Sequence, residues 1–136
     1  MDTTLVLDTT AMILACMDDP RQATVAAAMT NADVVVASER ALPEALAAAP
    51  RICDDPYSES DLADALCRVN DRLHIATIDS TRLYHASTLA RHTGLRLSAA
   101  LHISTALMCG PDTTFATFDP NQIAAAVDLG VSVVST

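Results

Sequence analysis

A chain of 136 residues, 51% apolar and 18% charged, can bury a core without disulfide or metal staples and is too apolar to stay disordered. Its net charge is −9, and all eight basic residues are arginine. So acidic a chain binds nucleic acid poorly unless a divalent metal, a local arginine cluster or a second chain supplies cations.

No apolar run approaches the roughly 18 residues of a membrane span, and Met1-Asp2 lacks the basic start of a secretion signal. Cys16, Cys53, Cys67 and Cys109 lie too far apart for a zinc knuckle or a redox pair. The expectation is one soluble cytoplasmic domain spanning residues 1–136, with reduced and mostly buried thiols.

Taken in order, Leu5-Val6-Leu7 reads as a buried strand that delivers Asp8 to the rim of a sheet. A short helix follows over Thr10 to Cys16. Asp18-Asp19-Pro20 then caps a helix from about Arg21 to Thr30, with Pro20 at its first position. Val34-Val35-Val36 is a β-branched second strand. The next helix runs from near Ser38 to about Ala48, with a kink or early start at Pro43, and Pro50 to Tyr57 reads as a loop.

Ser58 and Asp61 resemble a capping box ahead of Leu62, Ala65, Leu66, Val69 and Leu73, which have helical spacing. His74 to Ile78 reads as the third strand, and Asp79-Ser80 caps a helix that stops at Gly94. A helix over Ser98 to Met108 stops at Gly110, and a strand over Phe115 to Phe118 ends in Asp119. Asp119-Pro120 opens a last helix ending at Gly130, and Val131 to Val134 is the final strand. Each of the three glycines falls where a left-handed helix cap belongs. Strands alternating with helices argue an α/β fold, a parallel sheet with helices on both faces.

Ligands of such sheets bind beyond the carboxyl ends of the strands. Asp8, Asp119 and a glutamate after the second strand, Glu39 or Glu44, are therefore the candidate site residues. Clustered carboxylates suit a hard cation such as Mg²⁺, which can orient water and neutralise charge on a phosphate. Helix capping accounts for Asp8 and Asp119 equally well, and a first-turn position accounts for Glu39. No glycine-rich phosphate loop is present. A phosphate-accepting aspartate would need a second acid at Thr10, and His74, His85, His92 and His102 lack metal-ligand spacing. Of the four, His102 falls nearest the proposed cleft.

Leu-Val-Leu-Asp-Thr-Thr-Ala at the start, Val-Val-Val-Ala-Ser followed by Glu44, Ala-Leu-His-Ile-Ser-Thr-Ala-Leu, and Thr-Phe-Asp119 together resemble the PIN domain. Within it, the pattern is similar to the VapC-type toxins of bacterial toxin–antitoxin modules. The resemblance spans essentially the whole chain; each motif is loose alone, and four in order are fairly specific. It implies a three-layer fold with sheet order 3-2-1-4-5, which sets the strands carrying Asp8 and Asp119 side by side. It further implies a Mg²⁺- or Mn²⁺-dependent endoribonuclease, a homodimer, and a cognate antitoxin that covers the acidic pocket. Asp8, Glu44 and Asp119 match the catalytic and metal-binding acids. Choosing Glu44 over Glu39 rests on the family's spacing from Ser38.

One position departs from the pattern. The family reads Asp-Ala-Leu-His where this chain has Ala99-Ala100-Leu101-His102, and alanine cannot ligate metal. Either Ala99 silences a nuclease, or the domain is naturally degenerate and kept for binding; retention of the other motifs favours the first. The alternative function is a non-catalytic interaction module with a PIN fold. A more distant one is a small α/β domain with unrelated ligand chemistry. On a helix, Arg68 and Arg72 would be neighbours and are the first guess for RNA backbone contacts.

Overall fold

A computed structural model describes residues 2–135. Met1, on which the reading of the amino terminus partly rests, lies outside them. The elements in order are β1 (Thr4–Leu7), α1 (Thr9–Ala15), α2 (Gln22–Asn31), β2 (Val34–Ser38), α3 (Ala41–Ile52) and α4 (Pro56–Asn70). They continue with β3 (His74–Ala76), α5 (Ser80–Thr93), α6 (Leu97–Met108), β4 (Thr113–Ala116), α7 (Pro120–Asp128) and β5 (Ser132–Val134).

All pairings are parallel, and the strands lie in the order β3-β2-β1-β4-β5. β1 is central: Val6 pairs with Val36 of β2 on one side and with Phe115 of β4 on the other. Because side chains alternate along a strand, the sheet feeds two cores. Val6, Val36 and Phe115 pack with Ile103 and Ala106 of α6 and Ala125 and Ala126 of α7. Leu5, Leu7 and Ala116 face the opposite way, against Ala11 and Leu14 of α1 and Val25 of α2. Strands buried on both faces read as unbroken apolar runs, as β1 and β2 do.

The outer helices on that second face pack through small residues. Ala41, Ala45 and Ala49 fall four apart on α3 and are fully or nearly fully buried with Met12 of α1 and Leu62 and Leu66 of α4. Alanine on that stripe brings the helices close while the leucines of α4 fill the space.

Several boundaries depart from the sequence reading. α2 begins after Pro20, because Asp19 bonds the Arg21 backbone N–H and guanidinium instead of capping a helix. α3 starts at Ala41 with Pro43 in its first turn, where a missing N–H costs nothing, and it continues through Pro50 to Ile52. The expected loop from Pro50 therefore shrinks to three residues, 53–55. The cap of α4 is Asp55, which accepts from the Ser58 backbone N–H at 2.9 Å and from its hydroxyl; Ser58 is not the cap. Gly94, Gly110 and Gly130 all adopt positive φ. Among the described residues, no helix is long and apolar enough to cross a membrane. All four cysteines are free, and Cys67 and Cys109 are exposed, contrary to the expectation of mostly buried thiols.

Candidate acidic site at the carboxyl edge of the sheet

β1 ends one residue before Asp8, which is fully buried and caps α1. Its Oδ1 accepts from the Thr10 hydroxyl at 2.7 Å and the Ala11 backbone N–H at 2.8 Å, and its Oδ2 from Thr117 at 2.5 Å. Burial pushes the Asp8 carboxyl above its ordinary value, against the opposing pull of the Thr117, Ala11 and Thr10 hydrogen bonds.

Thr117, just past β4, joins the two strand ends. Its hydroxyl donates to Asp8 and accepts from the Asp119 backbone N–H at 3.2 Å. Thr10 closes the same ring by accepting from the Phe118 backbone N–H at 2.9 Å. Asp119 is the cap of α7, and its Oδ1 accepts from the Asn121 backbone N–H at 2.9 Å. Asp119 also opens onto a cleft of about 870 Å³ between the α5–α6 turn and α7, together with Ala99, Arg96 and Asn121.

Glu44 enters from the first turn of α3 and gathers donors from three helices. Oε1 accepts from the Thr9 hydroxyl at 2.7 Å and pairs with His102 Nε2 at 2.9 Å. Oε2 accepts from Arg40 Nε at 2.9 Å and from the Ser98 hydroxyl. Burial alone would raise its carboxyl, but the His102, Ser98, Thr9 and Arg40 hydrogen bonds outweigh burial and hold it well below the usual carboxylate range. Thr9 also touches His102 at 3.1 Å. His102 itself is buried, and its Nδ1 has no partner among the described residues. Glu39 turns away: its Oε1 takes the Ile78 backbone N–H at 2.5 Å, tying the end of β2 to the chain beyond β3.

The three acids of the sequence reading thus share one edge of the molecule. Thr117 links Asp8 to Asp119, and Thr9, adjacent to Asp8, links to Glu44. They do not share one coordination sphere. Among the described residues, no three His, Cys, Asp or Glu side chains are grouped to hold a metal ion. Both oxygens of Asp8 and of Glu44 already accept hydrogen bonds, and Ala99 offers no ligand. As arranged, this donor set does not fit a divalent cation.

The contacts that Thr9, Arg40, Ser98 and Thr117 make with the acids escaped sequence reasoning, and His102 was placed near the cleft without a role. A signal existed for two pairs: Arg40 with Glu44 and Ser98 with His102 are each four residues apart, so each pair shares a helix face. Arg68 lies on α4 and Arg72 beyond its end. Neither lines the cleft beside Asp119, where Arg96 is the arginine present.

The family model of the PIN domain matches residues 5–128. The chain belongs to the PIN domain family. No curated protein sequence matches it. Among solved structures, it is similar to Mycobacterium tuberculosis VapC20, described as a sarcin-ricin loop cleaving toxin, with TM-score 0.68 and 19% identity over 89% of this chain and 94% of that one. It is also similar to a toxin–antitoxin complex from Klebsiella pneumoniae, with TM-score 0.65 and 17% identity over 96% of each chain. VapBC-1 from nontypeable Haemophilus influenzae gives TM-score 0.67 and 14% identity, again over 96% of each chain. At these identities the likeness is one of fold. The three-layer PIN architecture with order 3-2-1-4-5 is that of these neighbours.

Proposed function

We propose that this PIN domain is the toxin-side component of a toxin–antitoxin module, a ribonuclease by lineage whose acidic pocket is kept in outline and attenuated in detail. The observation that carries the reading is the convergence of Asp8, Glu44 and Asp119 on one sheet edge, joined through Thr117 and Thr9. Support for the module comes from the family match and from fold neighbours described as toxins and toxin–antitoxin complexes.

In this reading the ancestral substrate is RNA and the reaction is phosphodiester hydrolysis. Asp8, Glu44 and Asp119 occupy the places of the lineage's catalytic acids, which would serve Mg²⁺ or Mn²⁺ in a complete pocket. The pocket as folded falls short of that chemistry on three counts: the acid missing at Ala99 and the filled carboxylates of Asp8 and Glu44. Asp8 positions the start of α1 and the end of β4. Asp119 presents a carboxylate to the cleft, and Asn121 and Arg96 offer donors to a phosphate or base edge entering it. The remaining partners in the proposal are a cognate antitoxin, whose basic side chains would complement the net charge of −9, and a second copy of the chain as a homodimer. The working compartment is the cytoplasm.

The deciding experiment compares RNA cleavage by this chain and by Ala99→Asp in millimolar Mg²⁺ or Mn²⁺ and in chelator. Cleavage by the Asp variant alone, and only with metal, upholds the nuclease reading. Failure of both on a broad set of RNAs transfers the protein to the second reading, a non-catalytic interaction module. The saturated carboxylate of Glu44 is the observation that favours that alternative.

A further inference from the structure

An ionised carboxylate offers about four acceptor sites, and in Glu44 four donors reach them: Thr9 and His102 on Oε1, Arg40 and Ser98 on Oε2. Among these donors Arg40 is the permanent cation. Its Nε lies 2.9 Å from Oε2, and its side chain is exposed. It is the one ion-pairing partner of Glu44, among the described residues, that is not a histidine.

Helix physics does not account for Arg40. It stands at the N-cap of α3, makes no capping hydrogen bond there, and sets a positive charge at the helix end that favours anions. A basic residue four positions before an acid is also the weaker order for a helical ion pair. The position is a poor one for α3, and the contact the arginine makes there is with Glu44. Ser98 adds a second donor to the same oxygen, one residue ahead of Ala99.

We propose that Arg40 is a positioning residue that serves as the built-in counter-cation of Glu44 and withholds that carboxylate from divalent metal. The loss at Ala99 and the Arg40 contact are then separate barriers to metal binding, beside the filled carboxylate of Asp8. A dication at Glu44 must displace the guanidinium from Oε2 and then sit beside its charge. Restoring an acid at position 99 removes only the first barrier. This inference takes from the proposed function only the kind of ion, and its test needs no RNA.

The test is Mn²⁺ titration by calorimetry of the chain, Ala99→Asp, Ala99→Asp with Arg40→Ala, and Ala99→Asp with Arg40→Lys. The Arg40→Ala double variant is expected to bind Mn²⁺ on the order of tenfold tighter than Ala99→Asp alone, since a nearby positive charge is removed. The Arg40→Lys double variant, which keeps the charge without the guanidinium fork, stays close to Ala99→Asp. Equal affinity of Ala99→Asp and its Arg40→Ala double variant, including no binding by either, overturns the proposal. So does an Arg40→Lys variant that binds as tightly as Arg40→Ala. RNA cleavage, measured separately, decides the nuclease reading whichever way the titration falls.

Discussion

The Thr117 hydroxyl donates to Asp8 Oδ2 at 2.5 Å, joining the ends of two neighbouring strands that are 109 residues apart in sequence. Both side chains are fully buried, so this bond is sealed from water that might replace it. Replacing Thr117 by Val keeps the shape and removes the donor. Leaving one buried carboxylate oxygen short of a partner costs about 1–3 kcal/mol. Urea unfolding of Thr117→Val and Thr117→Ser checks this: the serine variant keeps most of the stability because it keeps the hydroxyl.

Asp119 holds two roles that can be separated. As the cap of α7 it accepts from the Asn121 backbone N–H, and asparagine caps about as well as aspartate. Asp119→Asn is therefore expected to melt within a degree or two of the parent, whereas Asp119→Ala loses about 1 kcal/mol. In the proposed nuclease both changes lose metal-dependent activity alike when made in the Ala99→Asp background. Activity retained by Asp119→Asn would confine the residue to capping.

Glu44 sets an acid limit on stability. Its folded carboxyl lies below the ordinary value of 4.5, so its contribution is complete above that value and is lost as pH falls through it towards the folded pKa. Asp8 acts in the opposite sense: raised by burial, it favours the folded state more as it protonates. Glu44→Gln is therefore expected to flatten the fall in melting temperature between neutral pH and about pH 3. An unchanged acid limb in that variant would show that the network around Glu44 does not couple to folding.

Phe115 is fully buried at the centre of β4, against Val6 and the α6–α7 layer. Phe115→Ala should cost about 3–5 kcal/mol, a large part of the stability of a domain of this size. Val127 on α7 is 59% exposed, and Val127→Ala should stay within about 0.5 kcal/mol. Equilibrium denaturation of the pair measures both.

Much of the fold was legible because local signals agreed. Apolar runs marked β1, β2 and β4, glycines marked the ends of α5 and α7, and Asp-Pro at 119–120 marked a helix start. The same Asp-Pro signal misled twice. At 19–20 the aspartate is taken by Arg21, and at 55–56 it does cap a helix within what reads as a proline-broken loop. Pro50 reads as a breaker, yet it sits in the last turn of α3, where Ala45 and Ala49 on the buried stripe hold the helix together.

The site was legible only as positions. Strand ends point to Asp8 and Asp119, and the resemblance to the family points to Glu44 and to the gap at Ala99. What surrounds them is not legible, because the donors to Glu44 come from α1, α6 and the start of α3, and their meeting depends on how three helices pack. His102 shows the limit most plainly: its motif sets it near the cleft, but not against Glu44, whose Oε1 its Nε2 meets at 2.9 Å.

The central place of β1 also governs when the molecule can fold. Leu5 pairs with Val35, but its other neighbour, Thr114, is made more than a hundred residues later. At about 5–20 residues per second of synthesis, the first strand waits on the order of ten seconds for its second partner. Until then its apolar residues have one open flank, and Asp8 lacks the hydroxyl of Thr117. The edge that gathers the acids is thus among the last parts of the chain to close, and such long-range pairing makes for slow folding. For most of its translation the nascent chain lacks the half of the pocket that Ser98, His102, Thr117 and Asp119 supply.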